Sequence, residues 1–397
     1  MNEQLVVKNF GPIKDAKVDF KRVTVFIGPT GGGKSTLAKL AAVFRNHNSY
    51  PYKPGSIYYP KGKSPFEEYS ISNYENESSE IGWTANNQTA KYTGITSQFD
   101  LSGLELPEGW HPSSFKPSDL LLNFYKGDVQ KMLNHVSETN RLFDLAALIT
   151  PLTVHYLHYF PSERIFVSAL EYSWPGLLRD DIGLPKGILD FANSFSTSRK
   201  DVPELHIPFL NAQYLHQNGQ DFIKIPGSET LFRLYETASG IQSVTPLLVL
   251  LEHLSRNTEQ AQSFIIEEPE LNLYPTAQQG LLNWLVEKCT KGENDLTITT
   301  HSPYLLAHFN LLLYAHQVAN NHPERADDVA KIVPRESWID PKEFAAYHVE
   351  GQQENGVRSI INSETGLISH NSLDSTASAE TAEFEKLLDI NAGLEVE

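Results

Sequence analysis

GPTGGGKS, residues 28–35, is the stretch that decides the fold, because it fits the pattern G-x-x-x-x-G-K-[ST] at every fixed position. A continuous β-branched and aromatic run, 23–27, precedes it, and apolar residues follow at helical spacing over 35–44. In such a strand, loop and helix, glycines let backbone N–H groups surround a polyphosphate without Cβ clashes. We therefore predict a phosphate loop, with Lys34 on the β- and γ-phosphates of a nucleoside triphosphate and Ser35 on Mg²⁺.

Two adjacent acids end a second apolar run, FIIEE, residues 264–268. Carboxylates at the end of a buried strand are costly unless a cation lies near them. We predict that Glu267 binds Mg²⁺, directly or through water, and that Glu268 polarises the attacking water as a general base.

Two weaker motifs accompany the phosphate loop and the acids. His301 follows a predicted strand, 296–300, where an imidazole can sense a γ-phosphate and stabilise developing charge. The sequence ASGIQ, residues 238–242, stands before an apolar helix, 244–254, and provides a second anion site. Alone, each pattern is typical of ordinary structure, a strand-end histidine or a helix cap. The order of the four motifs favours the functional interpretation.

In this order the motifs resemble those of the ABC-type ATPases. The most similar branch is the non-transporter one, with the SMC-type repair ATPases, the OLD-family nucleases and bacterial anti-phage ATPases of the PARIS and Septu kind. Four segments carry the likeness: 7–13, 159–164, 267–275 and 300–306. The resemblance covers roughly residues 1–45 and 230–370, and it assigns no role to Arg164 of the second segment.

The resemblance implies an α/β fold of the P-loop NTPase class, namely an ABC-type ATPase head. A mixed α/β insertion, or lid, would lie between the phosphate loop and the signature. The implied assembly is a homo-oligomer, at least a dimer, in which Ser239, Gly240 and Gln242 of one subunit cap the γ-phosphate bound by another.

ATP and Mg²⁺ are the ligands that the resemblance implies. Ser35 and Glu267 would hold the metal, and Glu268 and His301 would be the catalytic residues. The implied ATP-binding residues are consecutive: Gly28, Pro29, Thr30, Gly31, Gly32, Gly33, Lys34, Ser35 and Thr36.

The sequence departs from the family pattern in two places. Glu267 stands where the family usually has Asp, and its extra methylene favours a water-mediated metal contact. Ile241 occupies a position where many members have a second Gly. The glutamine that senses the metal in this family has three candidates here: Gln88, Gln98 and Gln213.

Changes in composition along the chain predict four units. They are an N-terminal lobe of the ATPase head (1–45), an inserted β-rich and helical lid region (46–230), a C-terminal lobe of the head (231–370) and an acidic C-terminal tail (371–397). Within the insertion, 119–150 has helical spacing and 153–160 has the character of a strand.

The composition excludes several classes of protein. The 397 residues carry a net charge of −17, which is unsuited to a general nucleic-acid coat. The single cysteine, Cys289, excludes an internal disulfide and a cysteine-based zinc cluster, and is consistent with a reducing cytosol. The longest apolar run, 247–251, is far below the roughly 20 residues of a spanning helix, and no secretory signal is evident. We therefore expect a cytoplasmic protein without a membrane partner.

The N-terminal end differs from the rest of the chain in charge. Residues 1–65 contain eleven Lys and Arg against three Asp and Glu, a balance of +8, which leaves −25 for the remainder. A solvated surface explains this asymmetry, as does a cationic end around a bound polyphosphate that faces nucleic acid or an acidic partner.

The task that ATP serves is inferred from the resemblance. No second catalytic domain is evident after His301, so the effector is expected to be a separate polypeptide. The first hypothesis is a sensor or scaffold ATPase of a bacterial anti-phage defence system that controls a separate nuclease or toxin. The alternative is an SMC-like ATPase of DNA repair or chromosome maintenance that binds DNA. The long separation of Lys34 from Ser239 disfavours a third hypothesis, a transporter ATPase.

Overall fold

The computed structural model describes residues 3–45, 65–85, 88–93, 98–100, 155–169, 184–256 and 261–369. The predicted helical stretch 119–150 and the predicted tail 371–397 lie outside these ranges. For Gln88 and Gln98 the structure describes the backbone and not the side chain. Gln213 is on a strand paired with two others, opposite His206 and Lys224.

Fifteen strands and eight α-helices are present in the described residues. The strands are β1 (Glu3–Phe10), β2 (Ile13–Phe20), β3 (Val23–Ile27), β4 (Glu80–Ala85), β5 (Gln88–Thr93), β6 (Gln98–Asp100), β7 (Tyr156–Phe160), β8 (Glu204–Ile207), β9 (Ala212–Gln217), β10 (Gln220–Lys224), β11 (Leu231–Arg233), β12 (Gln262–Glu267), β13 (Asp295–Thr300), β14 (Phe344–Val349) and β15 (Val357–Ser359). The helices are α1 (Lys34–Arg45), α2 (Pro65–Glu68), α3 (Ile165–Ala169), α4 (Lys186–Asp201), α5 (Ser239–Leu254), α6 (Pro275–Cys289), α7 (Pro303–Asn321) and α8 (Ala326–Ala330).

A six-stranded sheet in the order β15-β14-β3-β13-β12-β7 lies at the centre of the fold. All its neighbouring strands run parallel except β15, which is antiparallel to β14. Every residue of β3, β12, β13 and β14 is buried, as expected for parallel strands covered on both faces. This sheet, with a phosphate loop after β3, is the α/β P-loop NTPase head that the motifs predict.

Helix α1 lies between the central sheet and a five-stranded antiparallel sheet, β2-β1-β4-β5-β6. Ten of its 12 residues are buried, because both of its sides are covered. Phe44 of α1 stacks on Trp83 of β4 with ring centroids 5.8 Å apart. Since α1 follows the phosphate loop directly, this packing also fixes the position of the loop.

The opposite face of the central sheet is covered by the larger hydrophobic core. Helices α4 to α7 contribute to this core, together with a four-stranded antiparallel sheet in the order β11-β10-β9-β8. Helix α5 is the most apolar of them, and each residue from Val244 to Leu251 is buried. Among the described residues, no helix is long and apolar enough to cross a membrane.

The segment 46–230, predicted as an inserted lid, is only partly separate from the head. Strand β7 forms an edge of the central sheet beside β12, and β4 pairs with β1 of the N-terminal lobe. The boundaries at 45 and 230 therefore do not coincide with the boundaries of the sheets. Local composition does not reveal which strand another strand will pair with, and the division into four units stays a prediction.

A buried charge cluster lies at the end of α1 farthest from the phosphate loop. The Arg45 guanidinium donates to Glu3 Oε2 at 2.6 Å, and to Asp295 Oδ1 at 3.0 Å and Ser263 Oγ at 2.8 Å. Only 3% of the Arg45 side chain is exposed. The cluster therefore links α1 to the beginnings of three strands: β12 and β13 of the central sheet and β1 of the five-stranded sheet.

Replacing Arg45 by methionine tests whether this cluster stabilises the layered arrangement. Arg45→Met leaves two buried carboxylates without their cation, and we expect the free energy of unfolding to fall by about 3–5 kcal/mol. Urea denaturation of the full chain measures this loss. The control is Lys8→Met, because the Lys8–Glu80 pair is solvent-exposed and is worth about 1 kcal/mol at most. Equal losses in the two variants would contradict the assignment.

Candidate functional site

Three neighbouring strands of the central sheet end at the same edge. Ile27 of β3 pairs with Thr300 of β13, and Thr299 of β13 pairs with Glu267 of β12. The next residue after each strand belongs to a predicted motif: Gly28 begins the phosphate loop after β3, Glu268 follows β12, and His301 follows β13. Parallel pairing therefore brings together three motifs that span positions 28 to 301 of the sequence.

The backbone of 349–351 packs against the phosphate loop. A Cβ on Gly28 would lie 2.4 Å from the Val349 carbonyl oxygen, and one on Gly32 would lie 2.3 Å from it. The Gly351 N–H donates to the Gly32 carbonyl at 2.8 Å. Glycine is required at both loop positions because the end of β14 occupies the space of a side chain.

The remaining loop residues surround the start of α1. Gly33 packs on Ile13, from which a Cβ would be 2.3 Å away. The first turn of α1 contains no acid, so its N-terminal dipole favours an anion. Pro29, Thr30 and Gly31 are exposed, Ser35 is half-buried, and Gly28, Gly32, Gly33 and Thr36 are buried.

The Lys34 ammonium lies inside the loop. Its Nζ donates to the carbonyls of Gly28 and Pro29, each at 2.9 Å. Burial lowers the pKa of Lys34, and the negative charges of three glutamates, Glu268 foremost, oppose this effect. Lys34, the only cation of the loop, thus lies close to the acids at and after the end of β12.

Glu267 is almost fully buried, with 3% of its surface exposed. Burial raises the pKa of Glu267, while the charge of Lys39 and hydrogen bonds from Tyr159 and Ser35 counteract the rise. Its Oε1 atom has no hydrogen-bond partner among the described residues. A buried carboxylate oxygen without a partner, next to the hydroxyl of Ser35, fits a hard cation such as Mg²⁺.

Glu268 and His301 face each other across the strand ends. Glu268 Oε1 lies 3.4 Å from His301 Nε2, and both side chains are partly exposed. Burial, and next to it the charge of Lys34, lowers the pKa of His301 below 6.5, although Glu268 and a hydrogen bond to the Gly28 backbone oppose this. The lowered pKa favours the neutral imidazole, which lies beside the Glu268 carboxylate and the phosphate loop.

The signature residues lie at the beginning of α5. Ser239 is exposed, and Gly240 is buried with room for no Cβ, since the Asn272 carbonyl oxygen would be 2.5 Å away. The Gln242 amide donates to the carbonyls of Tyr235 and Thr237 at 2.9 and 2.6 Å. Gln242 thus stabilises the turn before α5, whereas Ser239 is accessible to another molecule.

Two residues beside the acids received no role from the sequence. Glu270 Oε1 accepts hydrogen bonds from the Thr300 hydroxyl at 2.5 Å and from the His301 N–H at 3.0 Å. Tyr159 of β7 donates to Glu267. An acid two residues beyond Glu268 is visible in the sequence, but the tyrosine comes from a strand whose neighbour cannot be inferred locally.

Comparison with known proteins identifies the domain. The model of the AAA ATPase domain family matches residues 1–148 and 186–306. A search of curated proteins gave no match.

Among solved structures, the SMC head domain from Thermotoga maritima is 13% identical, with a TM-score of 0.38 over 78% of this chain and 92% of that one. An Smc head domain with an extended coiled coil bound to the C-terminal domain of ScpA, from Pyrococcus furiosus, is 12% identical, with a TM-score of 0.37 over 77% and 90%.

The close approach of Val349 predicts different effects for two neighbouring glycines. Gly32→Ala places a methyl group against a backbone oxygen, and we expect ATP affinity to fall about tenfold or more because the loop must shift. Gly31→Ala has no atom within 4 Å of the new Cβ, so only its φ of +77° is unfavourable. This cost is about 1–2 kcal/mol of folding stability. Titration with a fluorescent ATP analogue measures affinity, and equal losses would contradict the packing argument.

Proposed function

The chain belongs to the AAA ATPase domain family, and from this premise we propose that it hydrolyses Mg²⁺-ATP at a site completed by a second copy of itself. The observation that carries the proposal is the common edge of β3, β12 and β13, where the phosphate loop, the acids and the histidine converge. No other part of the described chain combines a phosphate loop with buried acids.

The side chains suit the steps of hydrolysis. Lys34 and the loop amides bind the phosphates, and Glu267 and Ser35 are the residues that would hold Mg²⁺. When bound, the ion neutralises charge on the β- and γ-phosphates. Glu268 accepts the proton of the attacking water, and His301 donates a hydrogen bond toward the charge that develops on the γ-phosphate.

The exposed start of α5 supports the composite site. No side chain caps this helix, because its N-cap residue is Ala238 and makes no side-chain hydrogen bond. Exposed Ser239 and the N–H groups behind it can therefore bind a phosphate presented by another subunit. ATP bound between two copies favours the closed dimer, and hydrolysis weakens it.

At the level of the cell, we propose a sensor or scaffold ATPase of a bacterial anti-phage system that controls a separate nuclease or toxin. Support comes from the four segments that resemble such ATPases, and the site of action would be the cytoplasm. The alternative, a DNA-bound repair or chromosome-maintenance ATPase, is favoured by one observation. Lys14 and Lys17 are exposed on the edge strand β2.

Native purification distinguishes these two roles. Co-purification of a nuclease-like or toxin-like protein with the tagged chain supports the first. Recovery of DNA alone, with binding that weakens steeply as salt rises, supports the second and contradicts the first.

Replacing Glu268 tests the chemistry. We expect Glu268→Gln to retain ATP affinity and to hydrolyse ATP about 10²-fold more slowly, because the amide cannot accept the proton. Phosphate release with Mg²⁺ gives the rate. Glu343→Gln is the control, because Glu343 is exposed just before β14, at the opposite end of the central strands, and its rate should stay near that of the wild type. Unchanged turnover in Glu268→Gln would remove Glu268 as the general base.

A mixture of two inactive variants tests the composite site. Lys34→Ala disables the phosphate loop and Ser239→Arg blocks the signature, so neither homodimer should hydrolyse ATP. Mixed dimers retain one complete site, and an equal mixture should therefore recover about a quarter of the wild-type rate. A mixture as inactive as its components, or single variants as active as the wild type, would refute the second copy's contribution.

A further inference from the structure

Arg164 donates hydrogen bonds to the backbone of both acids, Glu267 and Glu268. It ends the short 3₁₀ turn Ser162–Arg164, directly after β7, and has no exposed surface. Its Nη1 donates to the Glu267 carbonyl at 2.7 Å and its Nη2 donates to the Glu268 carbonyl at 2.6 Å. Nη1 also donates to the Pro161 carbonyl at 3.2 Å.

The partners of this guanidinium are unusual for a buried cation. A buried charge is normally paired with a carboxylate. Among the described residues, Arg164 instead donates its hydrogen bonds only to backbone oxygens. Desolvation lowers the pKa of Arg164 to about 10, which still leaves it charged at pH 7. Four glutamates, Glu270 foremost, favour its charge from a distance, yet within the described chain its hydrogen bonds go to backbone oxygens, which points to a role in holding that backbone.

That geometry is the turn of the chain at Glu268. In a β-strand, consecutive carbonyls point in opposite directions, yet Glu267 and Glu268 present theirs to one guanidinium. The chain achieves this because Glu268 has a φ of +41°, in the left-handed region that is unfavourable for a residue with a Cβ. On the other side, the Glu268 N–H donates to the Thr299 carbonyl at 2.9 Å.

The backbone on both sides of Glu268 is thereby fixed while its side chain faces His301. The planar fork of arginine presents a separate nitrogen to each carbonyl in a fixed geometry, whereas an ammonium presents all its donors from one freely rotating atom. A residue in a strained conformation persists only where its surroundings hold it. We assign the proton transfer to Glu268. The orientation of its carboxylate therefore controls the reaction.

We propose that Arg164 is a positioning residue that locks the backbone of Glu268 and thereby aims its carboxylate at the attacking water. The inference rests on the proposed function, because it concerns the same reaction. Arg164 itself contacts neither ATP nor water in this role. Its contribution should therefore be seen in turnover and be absent from nucleotide binding.

The test compares Arg164→Lys with Arg45→Lys, which also alters a buried arginine but at the far end of α1. We expect Arg164→Lys to lower kcat about tenfold or more, since small displacements of a catalytic group are costly. Its affinity for an ATP analogue should stay within about threefold, the pattern of an interaction needed only for chemistry. Arg45→Lys should lower the melting temperature and leave kcat near the wild-type value.

A double variant gives the decisive comparison. If Arg164 acts through Glu268, Arg164→Lys should reduce single-turnover hydrolysis no further in a Glu268→Gln background. Should the lysine variant fail to fold, Arg164→Gln serves instead, because it removes the buried charge and has one nitrogen in place of the two that contact the carbonyls. The same fall in kcat at a normal melting temperature is expected.

Three results would overturn the inference: an unchanged kcat, a loss of affinity as large as the loss of kcat, or fully additive losses in the double variant. These results are distinct from a failure of the proposed function. A wild-type chain that does not hydrolyse ATP, or an undiminished Glu268→Gln variant, refutes the proposed function together with the inference. An active wild type with a slow Glu268→Gln and a normal Arg164→Lys refutes the inference alone.

Discussion

The register of three parallel strands is the constraint on which the nucleotide site depends. Ile27 is level with Thr300, and Thr299 is level with Glu267, so the residues that follow them share one edge. The strands are buried on both faces, and a slip by one residue would turn every side chain to the opposite face. Packing in the core therefore sets the distances between groups that act on the same phosphate.

The features with a local signal were predictable from the sequence. The run 23–27, the glycine loop after it and the apolar strand before Glu267 each have a composition that few other structures explain. Their arrangement confirms the prediction of an α/β P-loop NTPase head, and the family match confirms an ATPase. Placing His301 beside Glu268 needed only the order of motifs, because parallel strands end at one edge.

Other parts of the site depend on partners that no local pattern reveals. The glycines of the loop follow from a phosphate ligand, yet the structure adds a second cause, the Val349 carbonyl against Gly28 and Gly32. Tyr159 and Arg164 reach the acids only because β7 pairs with β12, and 159–164 has no spacing that predicts this neighbour. The predicted division of the chain at 45 and 230 also rests on composition alone, and composition does not indicate which strands pair.

The position of β3 has a consequence for the making of the protein. Its two neighbours, β13 and β14, begin at Asp295 and Phe344, more than 260 residues downstream. A ribosome adds residues at about 5–20 per second, so the strand waits on the order of tens of seconds before either neighbour exists. Throughout that time VTVFI remains an unpaired apolar segment of the nascent chain, a natural target for chaperones. The backbone that packs against the phosphate loop, 349–351, is translated later still.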